Sequence, residues 1–142
     1  MDTRNLWPDF TIDKIRSPKT ILQEQADFLK DRTKGIVYGK VVTQTLTDNT
    51  ISHIFRIIAP KIGHYAYDLF AVYNNAELYP VNLNVFDEDE LVSKLSSVLD
   101  IGKDKYGFDA HNEEEFTLAL STIFRADTTK RVIQNLYSLS LD

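Results

Sequence analysis

An α+β fold is predicted for this chain: an N-terminal helix, a four-stranded antiparallel meander made of two hairpins, then two to three C-terminal helices packed on the sheet. Three observations predict it. Apolar residues recur at helical spacing between 17 and 35, at strand-like spacing between 36 and 86, and at helical spacing again from 89 onward. The pairs Asp48-Asn49 and Asn74-Asn75 divide the β-rich stretch into runs with short connections, which favours neighbouring antiparallel strands. A block of strands followed by a block of helices marks segregated layers rather than a parallel sheet.

The first helix is expected in "RSPKTILQEQADFLKDRTKG". Ser17 can accept a bond from a free backbone N–H, Pro18 suits the first helical position, and Gly35 can close the far end in the left-handed conformation. Ile21, Leu22, Gln25, Phe28 and Leu29 share one face, on which Gln25 reads as a residue at the margin. Next, "GIVYGKVVTQTLTDNTISHIFRIIAP" reads as a hairpin turning through Asp48-Asn49. A two-residue turn pairs Gln44 with His53 and Val42 with Phe55, so that a polar Thr-rich tip projects beyond a base anchored by Val41, Val42, Phe55, Ile57 and Ile58.

A second hairpin is expected from Tyr65 to Tyr73 and from Leu78 to Phe86. Pro80 donates no ladder bond, which predicts that this fourth strand lies at an edge. A three-residue connection puts Tyr65, Tyr67, Leu69, Ala71 and Tyr73 on the face of Val81 and Leu83, and leaves His64, Asp68, Phe70 and Val72 with Asn82 and Asn84. That register spares Asp68 an unpaired burial costing several kcal/mol.

Helices follow. "DEDELVSKLSSVLD" sets Leu91, Val92, Leu95, Val98 and Leu99 in one stripe, with four acids at the positive end of the helix dipole. "IGKDKYGFDAH" reads as a loop; Asn112 with Glu115 forms a capping pair for a helix burying Phe116, Ala119, Leu120, Ile123 and Phe124. Asp127 is expected to cap a last helix carrying Val132, Ile133, Leu136 and Tyr137.

At 142 residues the chain fits one domain spanning 1–142, with 1–14 as an N-terminal arm. No stretch approaches the ~20 apolar residues of a bilayer crossing, and "MDTRNLWPDF" lacks the apolar run of a signal peptide, so a cytoplasmic, membrane-free protein is expected. The absence of cysteine excludes disulfides and thiolate chemistry. Charge divides unevenly: residues 1–86 carry a net +1 and residues 87–142 a net −6, together the chain's −5. An acidic chain without a basic run argues against nucleic acid as the partner.

Residues 63–86 hold six of the sixteen aromatic residues together with His64 and Asp68. On one extended strand His64 and Asp68 stand about 13 Å apart, too far for a catalytic dyad. No glycine loop, nucleophile elbow or metal-ligand spacing is present, so no catalytic residue, metal or cofactor is expected. The leading expectation is a non-catalytic protein-interaction domain, an acidic immunity- or antitoxin-like protein or an adaptor. It would bind a protein partner or a second copy through Tyr65, Tyr67, Phe70, Tyr79, His64 and Asp68. The alternative is a small-molecule-binding protein or small enzyme with a pocket between sheet and helices, where Tyr65, Tyr67, His53, His64 and Asp68 converge.

The segments "SPKTILQEQADFLKDRTKG", "YDLFAVY", "ELYPVNLNV" and "NEEEFTLALSTIF" together resemble a group of small bacterial proteins without an assigned activity. The resemblance spans most of the chain. It implies a single compact domain in a bacterial or phage context and supplies no site residue.

Overall fold

A computed structural model of the chain describes residues 4–10, 16–86, 89–102 and 107–142. Parts of two expectations, the arm over 1–14 and the loop after Ile101, fall outside them. The elements run α1 (Pro18–Arg32), β1 (Tyr38–Thr45), β2 (Ile51–Ala59), a 3₁₀ turn (Pro60–Ile62), β3 (Tyr65–Asn74), β4 (Val81–Val85), α2 (Asp89–Ser96), β5 (Asp100–Ile101), β6 (Phe108–Ala110), α3 (Glu113–Phe124) and α4 (Asp127–Leu141). The α+β class and the antiparallel sheet stand, but the sheet has six strands rather than four, in the order β1-β2-β3-β4-β6-β5.

The two additional strands arise where a loop was expected. Strands of two and three residues are too short to show a periodicity, yet β6 pairs with β4 through Val81↔Ala110 and Leu83↔Phe108 and buries Phe108 and Ala110. Gly107 leads into β6 at φ +60°, and a Cβ there would stand 2.3 Å from the Leu83 carbonyl oxygen, so only glycine fits this approach. As a result β4 is an interior strand and the expected edge passes to β5. Pro80, preceded by a cis peptide bond, lies just before the strand and costs the ladder nothing.

Register departs from expectation in both hairpins. The first turn is a three-residue loop, Thr47 to Asn49, closed by Leu46 N–H to Thr50 O at 2.8 Å and Asn49 N–H to Leu46 O at 3.0 Å. Asn49 takes the left-handed conformation, φ 67°, and the Asp48 carboxylate accepts from Thr50 N–H at 3.0 Å. The extra loop residue slides the pairing by one, to Thr43↔His53 and Val41↔Phe55.

A bulge then interrupts β3, where Leu69 and Phe70 together oppose Phe55. Before the bulge the expected alternation holds: Tyr67 shares the row of Ile57, and Asp68 points to the opposite face beside Arg56. After it the phase reverses. Phe70 and Val72 pair with Val85 and Leu83, while Ala71 and Tyr73 go with Asn84 and Asn82, contrary to the three-residue-loop register.

The row Val41–Phe55–Phe70–Val85 therefore faces the helices. Phe55 stacks on Phe70 with ring centroids 5.4 Å apart, and Phe124 of α3 tilts against both at 5.2 and 5.9 Å. On the same face α1 meets β1 at a glycine: a Cβ on Gly39 would come within 2.9 Å of Ala26 Cα and Cβ and of the Phe55 ring. The other face carries Lys40, Gln44, Tyr73, an Arg56–Asp68 pair with bonds of 2.6 and 3.3 Å, and a chain running Asn84 to Asn82 to Asp109.

Helix ends follow local chemistry. The Ser17 hydroxyl accepts from Thr20 N–H at 3.2 Å, and Asn112 accepts from Glu115 N–H at 2.9 Å while Glu115 accepts from His111 N–H at 3.0 Å. α4 differs from expectation. Asp127 is its first residue, and the cap comes from α2, where the Glu90 carboxylate accepts from Asp127 N–H at 2.8 Å and Thr128 N–H at 3.2 Å. Bonds from Thr128 first, then Asp127, hold the Glu90 carboxyl below the usual carboxylate range. Of the four acids expected to complement α2, only Glu90 has a described side chain, and it serves the neighbouring helix. α2 ends at Ser96, so Val98 and Leu99 of the expected stripe lie beyond it; Leu91, Leu95 and Leu99 are buried while Val92 and Val98 are exposed.

Candidate functional site

The expected stripe on α1 divides into two. Ile21, Leu22 and Ala26 enter the core, whereas Gln25, Phe28, Leu29 and Arg32, spaced three, four and seven apart, line an adjoining cleft. Its floor is sheet: Phe55 and Ile57 from β2, and Leu69, which the bulge turns onto the helix side. Its far wall is Phe124 at the end of α3 with Ile133 of α4, and Arg125, Lys130 and Gln134 complete the lining. The cleft measures about 880 Å³, within the range of small-molecule sites, and opens to solvent beside exposed Phe28.

Several features fix this shape. The Ala26–Gly39 contact sets α1 against β1, and the Glu90 cap sets where α4 begins, which places Lys130 and Ile133 within its first two turns. The floor is apolar, but Arg32, Arg125 and Lys130 stand around it and, among the described residues, no carboxylate lines it. Among the described residues none of these three cations is ion-paired, whereas Arg16, Arg56 and Lys94 are. In a chain of net charge −5 this is a local reversal of sign. The described lining consists of apolar side chains, the amides Gln25 and Gln134, and the cations Arg32, Arg125 and Lys130.

The residues expected at a site are dispersed. Phe70 is fully buried in the core. Tyr65 is 50% exposed at the start of β3, and Tyr67 is half-buried in the row of Ile57. Tyr79 precedes β4 and packs edge-on against Phe116 at 6.4 Å. Burial raises its hydroxyl pKa, the Glu113 charge adds to that rise, and Arg16 opposes it. His64 precedes the strand at φ 56°, exposed, so its alternation with Asp68 is lost, and Asp68 is held by Arg56 on the opposite face. His111 and Asp100 lie 3.7 Å apart at the surface. Among the described residues no three His, Asp or Glu side chains converge as a metal ion would require, and no helix is long and apolar enough to cross a membrane.

His53 is the polar residue most deeply placed of those considered for a pocket. It is 4% exposed, with Nδ1 3.0 Å from the Thr43 hydroxyl and Nε2 2.7 Å from Asn74 Oδ1. An amide oxygen only accepts, so Nε2 carries the proton and Nδ1 accepts from Thr43. The neutral ring is then fully satisfied. Burial pushes its pKa down; the Asn74 bond opposes this, and the Lys19 charge reinforces it. The unfolded chain therefore takes up a proton, from about pH 6.5 downward, before the folded chain does, and stability falls as the pH drops through that window. The urea midpoint is expected to decline between about pH 7 and 5.5, less steeply in His53→Gln. An equal slope in the variant would assign the acid sensitivity elsewhere.

No family model, curated protein or solved structure matches this chain.

Proposed function

We propose that the chain is a non-catalytic binding protein that takes a small apolar ligand into the cleft between α1 and the α3–α4 pair. The supporting observation is an apolar wall left exposed over the core: Phe28 is 57% exposed, with buried Phe55, Ile57 and Leu69 lining the base of the cleft behind it. This reading takes up the expected pocket between sheet and helices but supplies it with other residues. It is favoured over docking through the aromatic hairpin because Phe70, central to that surface, is engaged in the core.

Phe28→Ala tests it. Removing a half-exposed ring leaves the melting temperature nearly unchanged, since surface substitutions usually fall within about 0.5 kcal/mol. It also removes one wall of the cleft. An eight-carbon amphiphile such as 1-octanol is expected to raise the melting temperature of the parent chain, and Phe28→Ala to weaken that binding by about tenfold, the equivalent of 1.4 kcal/mol of lost apolar contact. Equal stabilisation of parent and variant would place the ligand outside the cleft.

A further inference from the structure

We infer that the ligand is an amphipathic carboxylate: a hydrocarbon or aryl body lying against Phe28, Leu29, Phe124 and Ile133, with its acid group met by Arg32, Arg125 and Lys130. The inference rests on the binding reading above and adds the chemistry of the head group.

Charge complementarity carries it. Arg32 comes from the end of α1, whereas Arg125 and Lys130 come from the end of α3 and the first turn of α4, far later in the chain, and all three line one apolar cleft. Among the described residues no carboxylate neutralises them and none lines the cleft, although acids outnumber bases 21 to 16 in the chain. A guanidinium offers a planar fork that matches a carboxylate, and an ammonium adds a point charge, so the three donors suit one acid group on a ligand whose remainder is apolar. Gln25 and Gln134 add neutral donors and acceptors at the same margin. A neutral hydrocarbon leaves these cations without a partner, and a cationic amphiphile is repelled. Nucleic acid fits less well, since a phosphate track calls for an extended basic face rather than three cations around an oily floor.

The test is a calorimetric titration of the whole chain with octanoate, 1-octanol and octylammonium, each below its micellar range. Octanoate is expected to bind at least about tenfold more tightly than the other two, with affinity rising roughly fourfold per added methylene from hexanoate to decanoate. Arg125→Gln and Lys130→Gln are each expected to weaken octanoate by about threefold to tenfold and 1-octanol by markedly less, and added salt is expected to weaken octanoate more than 1-octanol. Equal affinity for octanoate and 1-octanol, both sensitive to Phe28→Ala, would overturn the carboxylate and leave the cleft. Binding of neither would overturn both. Cleft-residue resonances that shift with protein concentration and not with octanoate would overturn the carboxylate in favour of a second copy of the chain as occupant.

Discussion

Phe70→Ala is expected to destabilise the fold by about 3–5 kcal/mol, a large part of the ~5–15 kcal/mol that holds a domain of this size together. Phe70 is 0% exposed, stacks flat on Phe55 at an interplanar angle of 4°, and supports Phe124 from beneath. Removing the ring takes away its own burial and leaves a void under the cleft floor that Leu69 and Val85 fill only in part. Urea unfolding followed by circular dichroism measures the loss. Tyr65→Ala is the internal control: at 50% exposure its removal is expected to cost no more than about 0.5 kcal/mol. A small effect at Phe70 together with a large one at Tyr65 would mean that β3 lies in the opposite phase, without the bulge.

Gly39→Ala is expected to cost about 1–3 kcal/mol, although alanine for glycine in a strand ordinarily stabilises. The added Cβ falls 2.9 Å from the backbone and side chain of Ala26 and from the tip of Phe55, whose ring is wedged between Phe70 and Phe124. Either α1 lifts from β1 or the aromatic cluster shifts. Ala26→Gly in the same chain restores some of the space, so the double variant is expected to be more stable than the sum of the single effects by roughly 0.5 kcal/mol or more. Strict additivity would show that α1 does not rest on Gly39. A lifted α1 also widens the cleft, so Gly39→Ala joins core packing to ligand affinity.

Local chemistry was the legible part of the sequence. Ser17, Asn112 and Glu115 sit at helix ends because each satisfies a free backbone N–H within a few residues, a fact contained in the sequence itself. Register was not legible. Asp48-Asn49 suits a two-residue turn, but one left-handed residue, Asn49, suffices to close a three-residue loop, and a single bulge at Leu69–Phe70 reverses every later side chain of β3. β5 and β6 are shorter than a period-two pattern needs, so the sequence offered Pro80 as evidence of an edge that the structure places elsewhere.

The candidate site was legible on one wall alone. Gln25, Phe28, Leu29 and Arg32 carry helical spacing, but spacing alone does not tell a stripe that faces one core from a stripe that divides between core and cleft. Nothing local connects Arg32 to Arg125 or Lys130. Their meeting depends on which sheet face the helices cover, hence on the bulge, and on where α4 starts, hence on a cap from Glu90 that lies 37 residues before Asp127. Tyr65, Tyr67, Phe70 and Tyr79 drew attention by clustering in sequence, and the fold separates them into surface, sheet row, core and pre-strand positions.

The proposed binding function requires that the ligand enter the cleft between α1 and the α3–α4 pair. Amide and methyl chemical-shift mapping during an octanoate titration tests this directly. The expected result is saturable shifts confined to Gln25, Phe28, Leu29, Arg32, Leu69, Arg125, Lys130 and Ile133, with Tyr73, Asn82 and Asn84 on the opposite sheet face unmoved. Shifts centred on Tyr73, Asn82 and Asn84, or none up to millimolar octanoate, would contradict it.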